Sequence, residues 1–180
     1  MRVITGSARG RKLRMLEGKD VRPTTDKVKE AVFSAIHFQI PGSQVLDLFA
    51  GSGQLGIEAL SRGASKAFFV DSAKTSINIA AENIETTGFT QNSRLINMAA
   101  EDFLKSTDEM FDIALLDPPY SKGILEKVLP LLEPHIKENG RVICEHEAKL
   151  VLPEKIGCLH LKKTYKYGKI ELSQYVSCHD

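Results

Sequence analysis

Hydrophobic and polar positions change period several times along the chain, and the changes mark alternating elements. Val45 to Phe49, Ala67 to Asp71, Arg94 to Asn97, Phe111 to Leu116 and Gly140 to Glu145 are short, largely apolar runs. Such runs predict strands buried on both faces. Between them the apolar residues recur at three and four positions. Val28, Ala31, Val32, Ala35 and Ile36 predict a helix running to about Phe38, begun by Thr24-Thr25-Asp26, whose hydroxyls cap it. Ile77, Ala80, Ala81 and Ile84 predict another over 74–86. Further helices are predicted over 55–62 and 124–135, the latter shortened or kinked by Pro130 and Pro134.

Alternating strands and helices imply an α/β fold with a mostly parallel sheet covered on both faces. The end departs from that rhythm. Leu159 to Lys162 and Ile170 to Tyr175 flank Tyr167-Gly168 without a helical pattern, which predicts an antiparallel hairpin finishing the sheet. The start departs too: Arg2 to Thr5 and Arg11 to Leu13, with turns at Gly6 and Gly10, predict a small β-hairpin. Residues 1–22 are therefore read as a basic extension and 23–180 as the main domain. There is no internal repeat.

Composition narrows the class. With 42% hydrophobic and 26% charged residues in 180, the chain suits one soluble globular domain rather than a disordered or membrane-embedded one. No apolar run approaches the ~20 residues of a membrane span, and no signal peptide opens the chain. Three widely spaced cysteines make no disulfide framework, so a reducing cytoplasm is expected. Charge is uneven: residues 1–29 hold nine basic side chains against three acidic ones, while the whole chain nets +1. A basic end on a slightly acidic body predicts a polyanion contact.

Two motifs carry chemistry. Asp47-Leu48-Phe49-Ala50-Gly51-Ser52-Gly53-Gln54-Leu55-Gly56 runs from a strand into a helix, with glycines that let backbone N–H groups approach a ligand. Twenty positions after Gly51, Asp71 ends the next strand, where a carboxylate can accept ribose hydroxyls. The pattern fits either NAD or S-adenosylmethionine. Asp47 favours the second, since it would meet a methionyl amino group and repel pyrophosphate. Glu101 or Asp102, after the third strand, can accept from an adenine amino group; alternatively Asp102 caps a helix.

The second motif, Asp117-Pro118-Pro119-Tyr120, follows the fourth strand at the sheet edge where such folds bind ligands. A base's exocyclic amino group is a poor nucleophile because its lone pair is delocalised. The Asp117 carboxylate and a proline-bounded carbonyl can accept its hydrogens and aim the lone pair at a methyl donor, while Tyr120 stacks on the base. Cys144-Glu145-His146 and Cys158-Leu159-His160 tempt a zinc reading, but their spacing fits no usual site. No metal is expected, and Glu145 and Glu147 are read as carboxylates supporting nearby loops.

With these motifs the sequence resembles the class I S-adenosylmethionine-dependent amino-methyltransferases acting on nucleic-acid bases. Arg2-Val3-Ile4-Thr5-Gly6, Gly10-Arg11-Lys12-Leu13, the run from Arg22-Pro23-Thr24 to Phe33, and Gly56 to Ala64 resemble, more narrowly, the bacterial 16S rRNA guanine-N2 methyltransferases of the RsmD type. The resemblance implies a Rossmann-like fold with a seven-stranded sheet, S-adenosylmethionine as cofactor, and methylation of a guanine amino group in small-subunit rRNA by a monomer. It implies a cofactor site of Asp47, Phe49, Gly51, Ser52, Gly53, Asp71, Glu101 and Asp102, and a reactive site of Asp117, Pro118, Pro119 and Tyr120. Arg9, Arg11, Lys12 and Arg14 would then contact rRNA phosphates, with Arg22 and Lys27 nearer the active-site mouth. Gln54 stands where many relatives have a small residue; the loop is expected to tolerate it, with its side chain able to face the cofactor. Adenine-N6 methylation of DNA or RNA is the alternative, since the tetrapeptide serves several amino groups.

Overall fold

The computed structural model describes residues 1–18, 24–120 and 123–179. Its centre is one sheet of eight strands: β1 (Gln44–Leu48), β2 (Lys66–Asp71), β3 (Ser93–Asn97), β4 (Phe111–Leu116), β5 (Ile136–Glu147), β6 (Lys155–Ile156), β7 (Leu159–Tyr167) and β8 (Ile170–Ser177). Their spatial order is β3-β2-β1-β4-β5-β8-β7-β6. The first five run parallel; β8 is antiparallel to both β5 and β7. The chain winds outward from β1 to β3, then returns to β4 on the other side of β1. That reversal opens a crevice above the carboxyl ends of β1 and β4, where open α/β sheets place ligands.

Alternation along each strand feeds two cores. On one face Val45, Phe69, Leu115 and Ile143 pack under α1 (Asp26–Ala35), α2 (Gln54–Ser61) and α3 (Lys74–Thr87). On the other, Leu46, Phe68, Ala114 and Val142 pack under α4 (Ala100–Ser106) and α5 (Ile124–Leu132). Among the described residues no helix is long and apolar enough to cross a membrane.

Three expectations need correction. The sheet has eight strands, not seven, because Lys155–Ile156 pairs back onto His160 and Leu159 in two residues too short to show a period. β5 begins at Ile136, earlier than the expected Gly140: Asn139 adopts φ 60° within an irregular ladder to β4, and the strand continues through it. The first helix ends at Ala35 rather than Phe38, since Ile36 leaves helical geometry and His37–Gln39 forms a single 3-10 turn. Pro130 sits inside α5, which stops at Leu132 ahead of Pro134.

The amino-terminal hairpin forms, with Val3 N–H donating to Arg11 O (2.9 Å) and Leu13 N–H to Met1 O (2.9 Å). Val3, Ala8 and Leu13 join the core beneath it. Glu58, fully buried on α2, anchors the arrangement: its carboxylate accepts the Ile4 and Thr5 N–H groups at 2.9 Å and pairs with Lys29 Nζ (3.4 Å) and Arg62 Nε (3.0 Å). Lys29, counted in the basic segment by sequence, is thus an internal strut whose Nζ also donates to Arg2 O. Removing Glu58 would leave that ammonium buried and unpaired, a loss of about 3–5 kcal/mol.

Candidate active site

The crevice is a cavity of about 1110 Å³. One wall is the loop after β1. Phe49 takes φ 74°, uncommon for a residue with a Cβ, and its N–H donates to Val70 O at 3.0 Å. The chain then turns through Gly53, at φ 82°, into α2. Gly56, one turn into the helix, lies so close to the Phe69 ring that a Cβ there would stand 2.3 Å from Cε1. The motif's last glycine therefore brings helix and sheet together rather than touching a ligand.

Of the residues expected to hold a cofactor, Phe49, Gly51, Ser52, Asp71, Glu101 and Asp102 line the cavity. Asp71 Oδ2 accepts from Gly51 N–H and Oδ1 from Ala73 N–H, both at 2.9 Å, so the carboxylate shapes the loop while facing the cavity. Asp102 is not a helix cap: Ala99 is the capping position of α4, and Asp102 lies in its first turn. Asp47 is placed differently from the expectation. It is buried behind the loop, where Oδ2 accepts Gly56 N–H at 2.9 Å, and burial raises its carboxyl to about 7. Gly53 also lies behind the lining, its Cα side facing Ala80 and Phe69. Gln54 does line the cavity, is 8% exposed, and its Oε1 is buried without a hydrogen-bond partner.

The opposite wall is Asp117 to Tyr120. Thr24 and Glu145 support it from behind. Thr25 is the helix cap, its Oγ1 accepting Val28 N–H at 3.3 Å. Thr24 instead is buried, with Oγ1 3.3 Å from Asp117 Oδ2 and 3.4 Å from Glu145 Oε2. Glu145, also buried, accepts the Tyr120 hydroxyl on Oε1 at 3.0 Å. Glu145 thus supports the tetrapeptide directly. Leu115 pairs with Ile143, so the next same-face residues on these parallel strands are Asp117 and Glu145. Burial, then the Glu145 charge, hold the Asp117 carboxyl well above the usual carboxylate range; burial raises Glu145, which the Tyr120 and Thr24 hydroxyls pull back.

The basic residues spread out along the hairpin. Arg9, Arg11 and Lys12 are exposed, as is Lys27 on the first turn of α1. The hairpin tip rests on Ser61, whose Oγ accepts Ala8 N–H (3.0 Å), at the end of α2 remote from Gln54. That helix is eight residues, or about 12 Å, long, so Arg9 stands well away from the cavity. Arg14 forms a two-pronged pair with Glu82 at 2.9 and 2.7 Å. Arg22 lies outside the described residues. Cys144 is buried, which pushes its thiol up and leaves it inert, and His146 Nε2 lies 2.7 Å from Ser173 Oγ.

Comparison with known proteins extends this geometry. The family described as "Conserved hypothetical protein 95" matches residues 1–176. A Bacillus subtilis protein called putative rRNA methyltransferase YlbH is 39% identical, across 97% of this chain and 98% of its own. The Haemophilus influenzae "Ribosomal RNA small subunit methyltransferase D" is also 39% identical, over 91% of this chain and 89% of its own. The solved structure of the putative methyltransferase yhhF from Escherichia coli superposes with a TM-score of 0.90 at 32% identity, covering 99% of this chain and 98% of that one. The chain therefore belongs to the conserved hypothetical protein 95 family, the family of the ribosomal RNA small subunit methyltransferase D proteins.

Proposed function

We propose that this protein transfers a methyl group from S-adenosylmethionine to the exocyclic N2 amino group of one guanine in 16S rRNA. The observation that supports this reading most is the meeting of the glycine loop and the Asp117–Tyr120 tetrapeptide on facing walls of one cavity. The family supplies the substrate class, through relatives named for small-subunit rRNA.

The residues present fit the cofactor. Asp71 offers carboxylate oxygens to ribose hydroxyls, and Asp102 or Glu101 to an adenine amino group. Gln54 Oε1, buried without a partner, has a hydrogen-bonding need that a methionyl amino group would meet. Asp47 contributes from behind, by fixing Gly56. The cofactor, when bound, supplies an electrophilic methyl group on a sulfonium.

On the other wall, Asp117 and the Pro118 carbonyl accept the hydrogens of the target amino group and orient its lone pair. Pro119 stiffens the turn, and Tyr120, held by Glu145, stacks on the base. Residues 1–22 serve as an RNA-binding extension in which Arg9, Arg11 and Lys12, with Lys27, contact phosphates. A guanine in a loop can be splayed from its neighbours into the cavity while the surrounding rRNA follows the hairpin. The protein acts as a monomer on rRNA within a small-subunit particle.

Incubation with labelled S-adenosylmethionine and rRNA or DNA, followed by nucleoside analysis, tests this. Label in N2-methylguanosine is expected. Label in N6-methyladenosine alone would assign the tetrapeptide to adenine instead.

A further inference from the structure

Two cavities flank Tyr120. Asp117 lines the larger one; Glu145 lines a second, of about 230 Å³, together with Glu147, Lys149 and Leu150. Thr24 lies buried between the two carboxyl groups, at 3.3 and 3.4 Å. These contacts are long, as is common in sites that tighten around substrate. A hydroxyl has one proton to give, so both contacts become hydrogen bonds together only if one carboxyl is protonated and donates to Thr24 Oγ1. With Glu145, which also accepts the Tyr120 hydroxyl, as the anion, the shared proton lies on Asp117.

We propose that Asp117, Thr24 and Glu145 form a proton relay, which carries the proton lost by the methylated amino group from the reaction cavity to Glu145 at the second cavity. The relay rests on the amino-methylation reading above. As the nitrogen–methyl bond forms, the sulfur–methyl bond breaks and its electron pair stays on sulfur. The nitrogen, now cationic, gives a proton to Asp117 Oδ1. Asp117 Oδ2 passes its own proton to Thr24 Oγ1, and the Thr24 hydroxyl proton moves to Glu145 Oε2. Asp117 begins and ends neutral, while Glu145 begins as an anion, ends neutral, and returns the proton to water in the second cavity. Thr24 and Glu145 are positioning residues in this scheme, acting through Asp117.

The surroundings favour this division of labour. Burial and the nearby Glu145 charge raise the Asp117 carboxyl, which favours its protonated form, and Asp47 on β1 adds to that effect. Glu126, Glu147 and Lys149 border the second cavity, so its rim carries charges of both signs around the exit.

The test compares Thr24→Val, Thr24→Ser and Glu145→Gln with the unaltered protein, by pH-dependent kinetics and by carboxyl carbon NMR titration without turnover. Thr24→Val and Glu145→Gln should lower kcat about a hundredfold, the lower range for losing acid–base assistance. Thr24→Ser, which keeps the hydroxyl, should stay within about threefold of the unaltered protein. In Glu145→Gln the Asp117 carboxyl should titrate at lower pH, and the alkaline limb of kcat, where Asp117 loses its proton, should move down with it. Unchanged S-adenosylhomocysteine binding in calorimetry verifies that each variant is folded. Full kcat in Thr24→Val or Glu145→Gln, or an unmoved alkaline limb and Asp117 titration, would overturn the relay. Failure of the unaltered protein to methylate any rRNA would instead overturn the underlying function.

Discussion

Tyr120 Oη lies 3.0 Å from Glu145 Oε1, so the ring that follows β4 is held by a carboxylate near the end of β5. The ring's position is therefore set by a neighbouring strand and not by its own loop alone. Tyr120→Ala should lower kcat/KM for rRNA roughly 5- to 150-fold, the equivalent of the ~1–3 kcal/mol that base stacking contributes. Tyr120→Phe keeps the ring and loses only the tether, so its loss should be smaller and fall mainly on KM. Steady-state kinetics on rRNA fragments checks both.

Asp47 makes stability depend on pH. Its folded carboxyl is raised to about 7 by burial, against ~3.9 for an unfolded aspartate. A raised value means that the folded state holds the proton more tightly. The contribution is fully present below about pH 4 and is lost as pH rises through 7. Asp47→Asn, which keeps an acceptor for Gly56 N–H, should therefore gain stability relative to the unaltered protein as pH goes from 5 to 8. Urea denaturation at the two pH values measures this; a difference that does not change with pH would contradict it.

Gln54 should discriminate between ligands that do and do not carry an amino-acid end. Gln54→Leu preserves bulk and removes the amide. Its affinity for S-adenosylhomocysteine should fall about 10- to 150-fold, the scale of the ~1.5–3 kcal/mol of one hydrogen bond to a charged group. Its affinity for 5′-methylthioadenosine, which lacks the amino-acid end, should not change. Calorimetry with the two ligands gives the comparison.

The hairpin's basic residues should reveal themselves through salt. If Arg9 and Arg11 contact phosphates, Arg9→Ala with Arg11→Ala should weaken RNA binding and reduce the slope of log K against log salt by about 1.4, at ~0.7 per contact for single strands. Arg14→Ala should change the slope less, because that guanidinium is already paired with Glu82. Filter binding across a salt series distinguishes them.

Much of the fold was legible because its signals are local. The five parallel strands are apolar runs separated by helical periods, and the glycine loop and the tetrapeptide are contiguous in sequence. What escaped was long-range or conformational. Glu145 is 28 residues from Asp117, and only the β4–β5 register sets them side by side. Thr24 and Thr25 are equivalent as cap candidates in sequence; the chain direction entering α1 gives the cap to Thr25 and turns Thr24 to the carboxylates. Asp47 precedes the glycine loop as a cofactor ligand would, yet strand alternation turns it behind the loop toward Gly56. Lys29 reads as one more surface cation until Glu58, from another helix, takes it inside.

The most direct measurement is mass spectrometry of small-subunit rRNA from cells with and without this protein, complemented by the unaltered chain or by Asp117→Ala. The account predicts that one N2-methylguanosine disappears without the protein, returns with the unaltered chain, and stays absent with Asp117→Ala. An unchanged set of N2-methylguanosines in cells lacking the protein would contradict it.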